Sequence, residues 1–317
     1  MPRPPAFHSL RGWAASVHLT EVLAAVTVLL LLTTACPRAS GTGQTNQTGS
    51  TQAADMDRGE GRDMAPALTR VEAAASLPAG SAPKGASFVW LKTRDQYNVA
   101  AWYFAPKAPK VKGALAPTIL LLHMRGKDKS SWGEMPAKLV NEGFAVLAID
   151  LRGHGETLDP QGHNIPLSSL KDADYQNMLF DVAAGHEFLQ QQNSVDPERL
   201  GIIGASIGAN LGLIYCSKDR RVRTVVALSP GLNFRSLEPL PIMDAVDKRA
   251  IYLVASNSDL PSAEACQKLA VSGVHEGVKS VRLFDGTAHG TDLFAAHSGF
   301  DDTIVGGWLL NTIPPRR

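Results

Sequence analysis

From Ser87 onward the apolar positions come in short blocks separated by polar turns. Thr118–His123 (TILLLH) is an unbroken apolar run, as a strand buried on both faces requires, and Ala145–Asp150 (AVLAID) predicts the next strand. Leu200–Gly204, Thr224–Ser229, Ile251–Ser256 and Lys279–Phe284 predict four more. Phe88–Lys92 and Val99–Phe104 flank the turn Asp95-Gln96-Tyr97-Asn98 and read as a hairpin. Between the strands, helices are predicted over Ser131–Glu142 (ended by Gly143), Tyr175–Gln191, Ser206–Cys216, Ser262–Val271 and Asp302–Leu310, and Asp196-Pro197 starts a turn. A hairpin followed by alternating strands and helices implies a mostly parallel eight-stranded sheet with helices on both faces. Residues 83–317 are the size of one ordinary domain of this kind, and no internal repeat interrupts them.

The first 82 residues follow a different pattern. Arg3 and Arg11 precede an apolar run from Val22 to Leu32, after which come Thr33-Thr34-Ala35-Cys36. The run is too short for a bilayer-spanning helix, which needs about 20 apolar residues, and it has the order of a secretory signal. Ala35-Cys36 resembles the bacterial lipobox, although Thr33 stands where leucine is usual. The resemblance implies a signal peptide over 1–36, lipidation of Cys36 and a membrane-anchored protein of the cell envelope, with a soluble secreted protein as the alternative. Residues 37–82 are rich in Gly, Ser, Thr and Gln and cannot bury enough apolar surface to offset their ordering entropy, so they read as a flexible tether. In that context the sequon Asn46-Gln47-Thr48 is a chance match.

Composition narrows the function. Hydrophobic residues make up 44% and charged residues 19%, with a net charge of +1, so no global field gathers nucleic acid and no basic run with interleaved aromatics supplies one locally. Apart from Cys36, the cysteines are Cys216 and Cys266, without a CxxC pair; they are read as two buried thiols rather than a disulfide. His123, His154 and His163 match no metal-ligand spacing. Neither metal nor cofactor is expected, and the partner is a small molecule.

Gly204-Ala205-Ser206-Ile207-Gly208-Ala209 follows a predicted strand and opens a predicted helix. The pattern G-x-S-x-G suits a sharp strand-to-helix turn that lifts the serine hydroxyl off the sheet edge, with small residues where strand and helix would collide. A dinucleotide-binding turn would place glycine at 206. With LLLHMRG at 120–126 and AIDLRGHGET at 148–157, GIIGASIGA at 201–209 resembles the α/β-hydrolase fold family over roughly residues 85–312, most closely its dienelactone-hydrolase-like and lidless esterase members.

The resemblance implies a triad in the chain order Ser, acid, His. Ser206 is then the nucleophile. His289, in Gly286-Thr287-Ala288-His289-Gly290 after the last strand, is the base, in preference to His275 and His297. Asp259, after Ile251–Ser256, is the acid, in preference to Asp244, Asp247 and Asp285, with Ser256 where glycine is usual. The oxyanion donors are the backbone N–H of Ile207 and that of Met124 or Arg125. Arg125 has a second reading, as a guide for an anionic substrate. His123, Asp150, Arg152 and His154 are read as scaffold. The expected activity is ester hydrolysis through an acyl-enzyme; the alternatives are a peptidase or amidase on the same triad and a non-catalytic tethered binding module.

Overall fold

The unbroken apolar runs take the middle of a single sheet whose strands lie in the order β1-β2-β4-β3-β5-β6-β7-β8. β1 (Ser87–Lys92) and β2 (Asn98–Phe104) form the expected antiparallel hairpin, and β2 also runs antiparallel to β4 (Ala145–Ile149). The remaining pairings are parallel, through β3 (Ala116–Leu122), β5 (Val195–Ala205), β6 (Val222–Leu228), β7 (Ala250–Ser256) and β8 (Lys279–Phe284). The computed structural model describes residues 80–108, 111–246, 248–273 and 276–316. The signal segment with Cys36, the tether up to residue 79 and the candidates Asp247 and His275 lie outside them. Among the described residues no helix is long and apolar enough to cross a membrane.

Alternate residues of the central strands feed two cores. Leu120, Leu122, Leu147 and Ile202 pack with Tyr175 and Met178 of α2 (Asp172–Gln190), Leu211 of α3 (Ile207–Lys218) and Cys266 of α4 (Leu260–Val271). On the other face Ile119, Leu121, Val146 and Ile203 pack with Met135 and Leu139 of α1 (Met135–Asn141), and with Trp132 and Trp308. Each such buried side chain contributes about 1.5–3 kcal/mol, so the parallel strands are held from both sides and their C-terminal ends form a firm edge. Cys216 and Cys266 are free buried thiols, both driven up to about 12 by burial.

Three local expectations change. The helix expected over 131–142 is a 3-10 turn, Lys129–Trp132, followed by α1. Gly133, at φ +52°, breaks the winding, and Pro136 is tolerated near the start of α1 because that N–H needs no partner. Asp196-Pro197 lies inside β5, where the register with β3 shifts between the Ala116 and Thr118 pairings; a residue lacking an N–H is accommodated at such an irregularity. The terminal helix expected over 302–310 is a short turn, Phe300–Asp302, running into the wider i→i+5 winding of Thr303–Leu309. The last residues assigned to the tether are also tied down, since the Ser81 carbonyl accepts the Trp102 indole N–H at 2.7 Å.

Candidate functional site

Six loops leave the C-terminal edge of the parallel strands, after β3, β4, β5, β6, β7 and β8, and the candidate triad and oxyanion residues sit on four of them, after β3, β5, β7 and β8. Ser206 joins β5 to α3 at φ +54°, ψ −113°, a left-handed conformation that costs a non-glycine residue of the order of 1–3 kcal/mol. The two flanking glycines are dictated by space. A methyl group on Gly204 would lie 2.1 Å from the Gly208 carbonyl oxygen, and one on Gly208 would lie 2.1 Å from the carbonyl oxygen of Leu122. The turn is fixed to the sheet by the Ser206 N–H, which donates to Leu228 of β6 at 2.8 Å.

Asp259 follows β7 and His289 follows β8, and the structure brings them together: His289 Nδ1 and Asp259 Oδ2 are 2.7 Å apart. A carboxylate only accepts, so the shared proton sits on Nδ1 and the neutral ring keeps its lone pair on Nε2. The side chains are 42% and 14% exposed, which places the ring within reach of a ligand and the carboxylate behind it. The histidine loop also closes on the elbow. A methyl group on Gly290 would lie 3.4 Å from Ala205 Cβ and 2.5 Å from Met124 Sδ, so the neighbours of His289, Ser206 and the β3 loop converge at one point.

The β3 loop is locked by His123. Leu151 N–H donates to His123 Nε2 at 3.0 Å, which leaves the proton on Nδ1, and Nδ1 donates to the Met124 carbonyl at 2.9 Å. Lys127 N–H donates to the same carbonyl at 3.1 Å. In a planar trans peptide the Arg125 N–H then points the opposite way. Neither the Met124 nor the Arg125 N–H is hydrogen-bonded among the described residues. Ile207 opens α3, where first-turn N–H groups have no intrahelical acceptor. The Arg125 side chain is occupied, with Nε donating to the Tyr175 hydroxyl at 3.1 Å.

The α/β hydrolase fold family matches residues 117–302, more than half of the chain. The chain belongs to the α/β hydrolase fold family. Among solved structures, this hydrolase-fold chain superposes on an acetyl xylan esterase from Paenibacillus sp. R4 with a TM-score of 0.59 at 19% identity, covering 73% of this chain and 85% of that one. For a Pyrococcus furiosus esterase, Pf2001, the values are 0.55, 20%, 72% and 93%. For a dienelactone hydrolase from Anabaena variabilis they are 0.54, 17%, 73% and 98%. Among curated sequences, an uncharacterised Mycobacterium tuberculosis protein, Rv2307c, is 29% identical over 138 residues, 43% of this chain and 43% of its own length. The polyketide transferase claH of Penicillium crustosum is 30% identical over 101 residues, 32% of this chain and 30% of its own. The hydrolase-fold chain thus spans less than half the length of these curated relatives.

The other candidate residues of the hydrolase fold fall elsewhere. Asp244 lies in a cleft of about 580 Å³ with Ser217, Lys218 and Arg223, at the opposite edge of the sheet. Asp285 accepts from Asn257 Nδ2 at 2.8 Å, capping a strand end. His297 stacks on Phe284 at 4.1 Å between ring centroids, a packing contact. His163 is exposed, 3.7 Å from Asp159. Asp150 is buried and accepts from Lys129 N–H, Lys129 Nζ and Glu156 N–H. Arg152 joins Asp181 and Asp95, each at 2.7 Å. Burial, with His154 beside it, drives the His123 imidazole down to about 3. Sequence reasoning missed Ser229 and treated Ser256 only as a departure. Both hydroxyls touch the histidine loop; the sole signal was a hydroxyl residue ending each strand. Among the described residues no three His, Cys, Asp or Glu side chains are grouped as metal ligands.

Proposed function

We propose that this chain is a serine hydrolase that cleaves a carboxylic ester through an acyl-enzyme. The observation that carries the reading is the Asp259–His289 pair, 2.7 Å apart, with His289 on a loop whose Gly290 lies against Ala205 of the turn that holds Ser206 at φ +54°. Serine at its ordinary pKa is a weak nucleophile and needs such an oriented base. Ser206 Oγ attacks the ester carbonyl as His289 Nε2 takes its proton, and the imidazolium returns that proton to the leaving alcohol. Water then enters by the same route and releases the acid. Asp259 keeps the Nδ1 proton in place and stabilises the imidazolium. The Ile207 N–H and the Arg125 N–H of the locked β3 loop bind the oxyanion, with Met124 supplying bulk beside the site. Esterases and an acylaminoacyl peptidase both stand among the structural neighbours, so the ester and amide substrates of the test decide between the two.

The test is fluorophosphonate labelling of the full-length chain beside Ser206→Ala, followed by chromogenic esters and amides. Labelling confined to the wild type is expected. A folded wild type that stays unlabelled would overturn the proposal and leave a tethered binding module. We further propose export through residues 1–36 with Cys36 lipidated, on the lipobox resemblance. Radiolabelled palmitate should enter the wild type and not Cys36→Ser; equal incorporation would remove the anchor.

A further inference from the structure

The hydrogen bond from Asp259 fixes the His289 ring, but something must also fix the backbone that carries it. Two buried serines end neighbouring strands: Ser229 follows β6 and is 1% exposed, and Ser256 ends β7 and is 0% exposed. Ser256 Oγ donates to the Ala288 carbonyl at 2.7 Å. Gly290 N–H donates to Ser229 Oγ at 2.9 Å. These contacts grip the two peptide planes on either side of His289. Fixing both planes fixes φ and ψ of the residue between them, and so the direction of its Cα–Cβ bond.

The surroundings fit such a device. Ser229 holds φ +50°, a conformation glycine would adopt without strain, and its N–H is bonded to Val254 at 2.6 Å. Glycine would relieve the strain and lose the hydroxyl. Gly290, at φ +58°, lies against Met124 and Ala205, with no room for a side chain. The β7 and β8 loops are also stitched together further out. Ser258 N–H donates to Gly286 at 3.0 Å, and Asn257 Oδ1 accepts the Gly286 N–H at 3.2 Å.

We propose that Ser229 and Ser256 are positioning residues, a two-hydroxyl latch that sets the backbone of His289 so that its ring meets Asp259 on one side and Ser206 on the other. The latch deepens the hydrolase reading and rests on it for its effect on turnover. The experiment compares full-length wild type, Ser256→Ala, Ser229→Gly and Ser256→Thr on a chromogenic ester. The far-downfield Nδ1 proton of His289, which reports the ring's bond to Asp259, is followed by NMR in each.

Ser256→Ala and Ser229→Gly are each expected to lower kcat roughly tenfold, the scale of a slightly misplaced general base, with KM within about twofold. Both should broaden or shift the Nδ1 resonance. Ser256→Thr keeps the hydroxyl and should regain most of the lost kcat. Ser229→Gly is the strict case, because its thermal midpoint should hold while kcat falls. Unchanged kcat and an unchanged Nδ1 resonance in both variants would overturn the latch. If wild type neither hydrolyses nor labels, the hydrolase reading fails, while loss of the Nδ1 resonance in the variants would still establish the latch.

Discussion

Two groups of polar residues stand at the C-terminal edge of the sheet, and by residue type either looks catalytic. One holds His123, Asp150, Arg152 and His154 with Lys129; the other is Asp259 with His289. They differ in saturation and exposure. In the first, Asp150 has three donors and Arg152 has two carboxylates, His154 Nε2 is the group's one buried nitrogen without a partner among the described residues, and all five residues are nearly sealed from solvent. In the second, His289 spends one nitrogen on Asp259 and is 42% exposed. A group whose bonds are all taken holds a structure together. A group with one partner and an open side is free to exchange a proton. His123 stands between the two, since its hydrogen bonds tie β3 to β4 and orient the peptide that offers Arg125 N–H.

The largest expected break in this contrast is Ser206→Ala, which should lower ester turnover by at least about 10³-fold and abolish labelling, while circular dichroism and the thermal midpoint stay unchanged. Asp259→Asn should follow, with kcat down roughly 10²–10⁴-fold, because the amide no longer fixes the proton on Nδ1. In the buried group the effect should move from rate to stability. Lys129→Met leaves the Asp150 carboxylate without its cation and should lose about 3–5 kcal/mol in urea unfolding, with turnover per folded molecule within about threefold.

A smaller effect should appear with pH. Burial lowers the His123 pKa from 6.5 to about 3 and that of His186 to about 4. The unfolded chain therefore takes up protons that the folded chain refuses, so the stability from these sites is full above pH 6.5 and is lost as pH falls toward 3 to 4. Urea titrations should show a loss of about 1–2 kcal/mol per histidine between pH 6.5 and 5, and a flat response there would place these imidazoles in water. Smallest of all, Asp285→Asn keeps an acceptor for Asn257 and should change stability by less than about 0.5 kcal/mol, with kcat within about threefold.

The fold was legible because its signals are local. Ile119–Leu122 and Ala145–Ile149 are apolar on every position, as a strand covered on both faces requires. The elbow was legible for a related reason, since Gly204 and Gly208 are forced by atoms within four residues or on the adjacent strand. Element ends were less so. Gly133 broke a helix whose apolar spacing continued through it, and Pro197 entered a strand because a register shift there asked nothing of its N–H.

The sequence by itself determined the layered sheet, the sharp turn at Ser206 and the residue types of an acid and a base downstream of it. Hydrophobic periodicity and steric space act over a few residues and are written in the order of the chain. The tertiary structure decided which acid meets which histidine. Asp244 and Asp285 carry the same side chain as Asp259, but one lies at the far edge of the sheet and the other is spent on Asn257. It also decided the place of Ser229 and Ser256, whose hydroxyls act across 61 and 32 residues of chain on the segment holding His289. A hydrogen bond between residues that far apart leaves no periodic trace, because strand order alone brings its partners together.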